Sequence, residues 1–271
     1  MSHFSIAERE QIKQQITTIT QENENILAAV LVGSGAVGFA DEVSDIDFVM
    51  VVDAEANILE TMKCIKRRIE EYYDVLFFTQ MDKRGLQIYL LNNYLEIDIG
   101  FQSLNNAEAK NECYKIIFDK NNTVAPVMRE TCQQNKSKEQ ENISDENLKR
   151  KYMEESETIW HYVFHAAVAI KRNQYWHCLA ELDIVRNKII ELKGYRNSIR
   201  TKRWRDVDKL PHNDLLILQK TYTTELTRKS LLQSLLLLTN LLFDELEAII
   251  KNEIAVNRQH TLNYISDVIK V

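Results

Sequence analysis

Apolar residues recur at helical spacing in residues 5–24, where Ile6, Ile12, Ile16 and Ile19 stand among charged and amide side chains. That spacing predicts an amphipathic opening helix. The next run, Ile26 to Val32 (ILAAVLV), is continuously apolar but too short for a helix, and it enters the glycine-rich stretch Gly33 to Gly38. It reads as a strand buried on both faces that ends in a tight loop. Ile46 to Val52 (IDFVMVV) predicts a second such strand, 55–72 a helix, and Tyr73 to Thr79 a third strand. Leu86 to Leu91 and Tyr94 to Phe101 flank Asn92-Asn93, a pair that tolerates left-handed φ and predicts a two-residue hairpin turn. In the second of these strands Glu96, Asp98 and Gly100 share one face, and Leu95, Ile97 and Ile99 the other. Lys115 to Phe118 adds a short strand.

From Arg129 the pattern changes. Residues 129–143 are polar and apolar-poor, and predict an exposed linker. Ser144-Asp145-Glu146 reads as a helix start. Helical periodicity then repeats over 145–172, 175–194, 212–228, 229–252 and 258–270. Gly194 is expected just past one helix end and Pro211 just before another start. The expected architecture is an α/β (α+β) domain with a mixed sheet over 1–128, the linker, and an all-α helical bundle over 144–271.

Composition supports this reading. With 2 Pro and 6 Gly in 271 residues there is little to break helices and little of the turn chemistry of an all-β sandwich. Hydrophobic residues at 45% and charged residues at 27% exclude disordered, collagen-like and mucin-like chains. Cys64, Cys113, Cys132 and Cys178 are widely spaced without a C-x-x-C pair. They read as reduced thiols of a cytoplasmic protein rather than a disulfide framework or zinc knuckle. The start is polar, and the leucine-rich run 231–243 contains Gln, Ser, Thr and Asn. It is expected to be a buried helix or a homodimer seam, not a membrane span. Charge is uneven. Residues 1–125 hold 11 Lys+Arg against 20 Asp+Glu (−9), and 126–271 hold 23 against 20 (+3), which together give the net −6. This division suits carboxylates that hold cations and basic groups that hold anions, or is ordinary solvated surface.

The chemistry is concentrated in Gly33-Ser34 and the phrase Ser44-Asp45-Ile46-Asp47. Asp45 and Asp47 start a strand and project from one face, about 7 Å apart at the backbone. Flanked by apolar residues they would repel, and one would take up a proton, unless a cation joins them. Mg²⁺ takes carboxylate oxygens and keeps positions open for phosphates. The glycine-serine turn upstream lets backbone N–H groups and a hydroxyl approach a polyphosphate. Asp98, with Glu96 on the same face, is the expected third carboxylate.

The pattern G-S-x(9)-S-D-x-D, an apolar strand and an Asp about fifty residues on resembles the nucleotidyltransferase superfamily, of DNA polymerase beta type. The motif part covers residues 26–101. Its pairing with a helical C-terminal region, and the stretch 165–192 in particular, looks most like the aminoglycoside and lincosamide nucleotidyltransferases. The resemblance implies that Gly33 and Ser34, with Ser44, bind an NTP. It implies that Asp45, Asp47 and Asp98 hold two Mg²⁺ ions and carry catalysis. The implied reaction is attack by an acceptor hydroxyl on the α-phosphate of ATP or another NTP, with pyrophosphate leaving. Asp98 or Glu96 would accept the proton. A small-molecule acceptor such as an antibiotic is the leading expectation. A protein or RNA acceptor, or a silent nucleotide-binding regulator, is the alternative.

Weaker patterns have two readings each. His161 and His165, at i and i+4 of a helix, could bind a metal or be structural, and His165 could touch the nucleotide. Arg172 to His177 matches the R-x(4)-H spacing of helical ribonuclease domains, a short pattern that also arises by chance. Tyr195 to Arg205, with five basic residues, is either a solvated loop, a triphosphate clamp or a nucleic-acid patch. A pI near 5.6 argues against nucleic acid. Arg186 and Lys188 could hold phosphate oxygens, or Arg186 could pair with Asp183 one turn before it.

Overall fold

The computed structural model of the protein describes residues 4–39, 41, 43–142 and 144–270. The chain divides into two compact units, Met1–Lys138 and Glu139–Val271.

The first unit is built on a six-stranded mixed sheet. Its strands are β1 (Ile26–Val32), β2 (Ile46–Val52), β3 (Val75–Met81), β4 (Leu86–Leu91), β5 (Glu96–Ser103) and β6 (Tyr114–Asp119), in the order β3-β4-β5-β2-β1-β6. β2 and β5 pair in parallel, and the other described pairs are antiparallel. The two central strands are those that carry the aspartates. Helices α1 (Ile6–Gln21) and α2 (Ile58–Tyr72) cover one face, through Ile12, Ile16, Ile19, Ile58, Met62, Ile65 and Ile69. The opening helix differs from expectation at one position. Its buried stripe runs Arg9, Ile12, Ile16 and Ile19, and Ile6 is exposed. Ser5 and Glu8 form a reciprocal capping box that fixes its start.

The segment expected as a linker over 129–143 is instead mostly helical. Helix α3 (Val124–Asn142) runs through it, while residue 143 lies outside the described residues. Val124, Met128 and Cys132 are spaced by four, so one narrow stripe buries itself on the other face of the sheet, against Ala28, Val30 and Val51. The Asp119 carboxylate accepts hydrogen bonds from the first backbone N–H groups, Val124 (3.0 Å) and Ala125 (2.9 Å). A three-residue stripe suffices because the cap and the sheet supply the rest.

The hairpin expected at Asn92-Asn93 exists, but its loop has a third residue. Leu91 N–H donates to Leu95 O and Tyr94 N–H to Leu91 O, and it is Tyr94 that takes the left-handed conformation, at φ 63°. This is the turn-plus-left-handed-residue form of a three-residue hairpin.

The second unit contains α4 (Asp145–Lys171), α5 (Tyr175–Arg196), α6 (His212–Lys220), α7 (Arg228–Ile250) and α8 (Arg258–Lys270) around one apolar core. The leucine-rich run lies inside α7, with Leu231, Leu235, Leu238 and Leu242 fully buried. Among the described residues no helix is long and apolar enough to cross a membrane. α6 stops eight residues earlier than its pattern suggests. The Thr221 carbonyl accepts from Arg186 (2.9 Å) and Ser234 (2.5 Å), so it is not available to a continuing helix. Gly194 is inside α5, not beyond it. A Cβ there would collide with the Thr201 side chain and lie 2.8 Å from the Ile199 carbonyl oxygen. The glycine admits a crossing chain rather than ending a helix.

Candidate active site

The parallel pairing of β2 with β5 sets the site. Asp47 and Asp98 are direct register partners, so their side chains emerge next to each other from the two central strands. Asp45 stands just before β2, and Glu96 two residues before Asp98 on the same face, more exposed than Asp98. The opposite face of β5 is committed to the core by Ile97, Ile99 and Phe101. A strand of alternating character thus fixes which way every carboxylate points.

Asp98 is strongly perturbed. Burial, then the charges of Asp47, Glu96 and Asp45, push its carboxyl from the ordinary 3.8 up to about 6. Its Oδ1 is buried and accepts no hydrogen bond. A buried acceptor among like charges is an oxygen set that a hard divalent cation would satisfy, so the donor chemistry fits Mg²⁺.

The glycine-rich turn closes on the same carboxylates. Directly after β1, residues Gly33–Val37 make a short 3-10 turn, with Gly33 at φ 64°. A Cβ on Gly33 would sit 2.8 Å from Asp47 Oδ2. Glycine is therefore required both by its conformation and by the close approach of the aspartate. Ser34 holds the turn through its carbonyl, which accepts from Phe39 N–H at 2.9 Å, leaving its half-exposed side chain uncommitted to the turn.

Ser44 and Asp41 form a local turn. Asp41 Oδ1 accepts from Val43 N–H (2.9 Å) and from the Ser44 hydroxyl (2.8 Å). Ser44, Asp45, Asp41, Val43, Leu90, Tyr94 and Glu96 line a groove of about 370 Å³, the scale of a small-molecule site. Tyr94, left-handed at the hairpin tip, stands on its wall; a bulky residue held in that conformation is a mark of functional sites.

Sequence reasoning missed Arg9. Its side chain is 1% exposed, its guanidinium stacks on the Phe39 ring at 4.0 Å, and it donates to the carbonyls of Asp41 (2.9 Å) and Ser44 (3.2 Å). One buried cation thereby ties α1 to the loop that delivers Asp45. The signal was legible: an arginine occupies a core position of the helical stripe, where a charge is costly without partners. Arg9→Met should keep the fold but lower kcat/KM for the reaction that the resemblance implies by about 10²-fold, as misplacement of a reacting group by an ångström does. Unchanged kinetics in that variant would show that Asp45 is positioned without Arg9.

The residues expected from the helical unit fare differently. Arg186, expected on phosphate, is 2% exposed. It pairs with Asp183 and donates to Thr221 Oγ1 (2.9 Å) and Thr221 O (2.9 Å), with Tyr222 stacked on it at 4.0 Å. Nε, Nη1 and Nη2 each have a partner within their own unit, and the pairing with Asp183 is the alternative that the sequence offered. Lys188 is ion-paired with Glu155 at 2.8 Å and Glu191 at 3.8 Å. His165 is half exposed, stacked on His161 with ring centroids 3.9 Å apart. In the basic stretch Tyr195 to Arg205, Arg196 reaches Glu245 at 3.2 Å and Thr201 is buried, while Trp204 is exposed.

Residues 14–117 match the family described as Polymerase beta, Nucleotidyltransferase. That span holds Gly33, Ser34, Asp45, Asp47, Glu96 and Asp98, so the sheet-bearing unit is similar to a nucleotidyltransferase domain, in agreement with the resemblance read from the motif. Among curated proteins no significant match is found. Of solved structures, an aminoglycoside 6-adenyltransferase from Bacillus subtilis aligns with TM-score 0.41 and 11% identity over 97% of this chain and 97% of that one. A nucleotidyltransferase-like protein from Exiguobacterium sibiricum aligns with TM-score 0.41 and 10% identity, over 96% of this chain and 89% of that one.

Proposed function

We propose that the protein transfers a nucleoside monophosphate, AMP in the first instance, from an NTP to a hydroxyl of a small-molecule acceptor and releases pyrophosphate. The observation that carries this reading is the convergence of Asp45, Asp47 and Asp98 beside the Gly33-Ser34 turn in a unit similar to a nucleotidyltransferase domain. Asp45, Asp47 and Asp98 would hold Mg²⁺, which when bound lowers the pKa of a coordinated hydroxyl and neutralises phosphate charge. Gly33 and Ser34 receive the triphosphate, by backbone N–H groups that no side chain obstructs and by one hydroxyl. Asp98 accepts the acceptor's proton, directly or through water; burial and neighbouring charge raise its carboxyl in the metal-free protein, and a bound cation would hold it ionised and able to accept.

The acceptor side of the reading rests on the groove. Its carboxylates Asp41, Asp45 and Glu96 favour a molecule that carries amino groups. Aminoglycosides, and then lincosamides, are therefore the first acceptors to try. Incubation with radiolabelled ATP, Mg²⁺ and these compounds, with pyrophosphate release as readout, tests the proposal. Label on the antibiotic supports it, label on protein or RNA redirects it to a macromolecular acceptor, and no release with any acceptor indicates a nucleotide-binding regulator.

Asp98 also sets a pH dependence in the metal-free protein. A carboxyl whose folded pKa is raised from 3.8 to about 6 contributes stability below pH 4, and that contribution is lost as pH rises through 6. Asp98→Asn removes the charge. It should match the parent near pH 4 and exceed it above pH 6 by on the order of 1 kcal/mol, after allowance for solvent screening. Melting temperatures measured in a chelator across that range check the sign; a variant less stable at neutral pH would contradict it.

A further inference from the structure

Among the described residues, one cluster of metal-ligating side chains belongs to the helical unit alone. His177 and Glu181 are one turn apart on α5, with His177 Nε2 2.8 Å from Glu181 Oε1. His165 reaches the same oxygen from α4, its Nδ1 4.0 Å away. The three ligand atoms all lie within 4.8 Å of one another. The Glu181 side chain is 12% exposed, and its Oε2 is buried and accepts no hydrogen bond. Its described ion-pair partners are the two imidazoles, which carry charge only when protonated.

We propose that His165, His177 and Glu181 form a binding site for a divalent transition-metal ion of the Zn²⁺ class. Two imidazoles and a carboxylate from two facing helices are a donor set such ions take, with a fourth position left to water or another ligand. Imidazole selects Zn²⁺ and its neighbours over Mg²⁺, whereas the all-oxygen aspartate cluster of the sheet-bearing unit selects the reverse. The protein would thus distinguish two ions by the hardness of their donors.

Tetrahedral coordination at about 2.0–2.1 Å places donors about 3.3 Å apart, so the 2.8 Å pair opens and the 4.0 Å pair closes by less than an ångström each, and the two imidazoles, within 4.8 Å of each other, close by at most about 1.5 Å. Half-exposed imidazoles make such a shift by small χ rotations. The helix backbones beneath them are held by buried Ala166, Ala167, Ile170, Cys178 and Leu182. Cys178, beside His177 in sequence, is not a ligand: it is fully buried, and burial pushes its thiol up to about 12. Bound metal would tie α4 to α5 near the short connection between them.

Titration of the purified full-length protein with Zn²⁺ in excess Mg²⁺, followed by calorimetry, tests the site. One equivalent of Zn²⁺ is expected to bind and to raise the melting temperature of the parent. His177→Ala and Glu181→Gln should each weaken binding at least tenfold, since even indirect partners of a metal cost that much. Substitution with Co²⁺ should give the visible absorption of a tetrahedral nitrogen-oxygen site, lost in His165→Ala. His177 and His165 are half exposed, so circular dichroism of their variants should match the parent. Zn²⁺ binding unchanged by these substitutions, or no binding at all, would overturn the proposal and leave the cluster a hydrogen-bonded helix contact.

Discussion

Asp47→Asn should fold normally and transfer no measurable nucleotide. Asp47 faces Asp98 from the adjacent parallel strand and lies against Gly33, so it stands between the carboxylates proposed to hold metal and the turn proposed to receive phosphate. The charge stabilisation lost with a metal ligand is several kcal/mol, which corresponds to roughly 10³- to 10⁴-fold in rate. The fold should survive because the substitution is nearly isosteric and relieves repulsion on Asp98, whose raised carboxyl owes part of its shift to Asp47. Pyrophosphate release at saturating ATP, beside a far-ultraviolet dichroism spectrum, measures both halves of the expectation. Transfer retained within tenfold of the parent would remove Asp47 from the mechanism.

The second large effect concerns stability and lies in the helical unit. Glu245, 2% exposed on α7, accepts from Lys193 Nζ at 2.9 Å and from the Tyr152 hydroxyl at 2.5 Å, and pairs with Arg196 at 3.2 Å. Lys193, 3% exposed, has Asp214 at 2.6 Å as its other partner. Removing Glu245 leaves Lys193 and Arg196 to share the single carboxylate of Asp214, an excess of buried positive charge that costs about 3–5 kcal/mol. Glu245→Ala should therefore lower the urea midpoint of the helical unit's transition steeply, enough to unfold it if that unit has ordinary marginal stability. The pair Glu245→Leu with Lys193→Met should recover much of the loss, because apolar side chains of similar volume replace both charges. A single-variant loss below about 1 kcal/mol would mean that water reaches the network.

Much of this architecture was legible from periodicity. The apolar runs at 26–32 and 46–52 became strands with the bounds they suggested, because both faces are covered and Asp47, near the start of the second, is the one charged residue in either. The aspartates were legible because a paired-carboxylate phrase before an apolar strand has few other uses. What was hidden depended on contacts distant in sequence. α3 carries a stripe of only three residues and is completed by Asp119 and the sheet. Arg9 can be seen to fall on the core stripe of α1, but what it holds there depends on carbonyl acceptors more than thirty residues away. Arg186 was expected on phosphate because its burial and its tie to Thr221 are tertiary facts. Tyr94 took the left-handed position that local propensity assigned to asparagine, since the loop length was set by the strand register.

The alternation of β5 also predicts where this chain tolerates changes of length. Glu96 and Asp98 stay on the carboxylate face of the sheet only while Ile97, Ile99 and Phe101 face the core. Deleting one residue inside β5 would exchange the two sets, burying carboxylates and exposing isoleucines, whereas deleting two would restore the faces but shift Asp98 out of line with Asp47. The exposed stretch 110–112 before β6 carries no such phase. Functional variants that differ in length should therefore gain or lose residues there, and the segment from Glu96 to Ser103 should keep its eight positions intact.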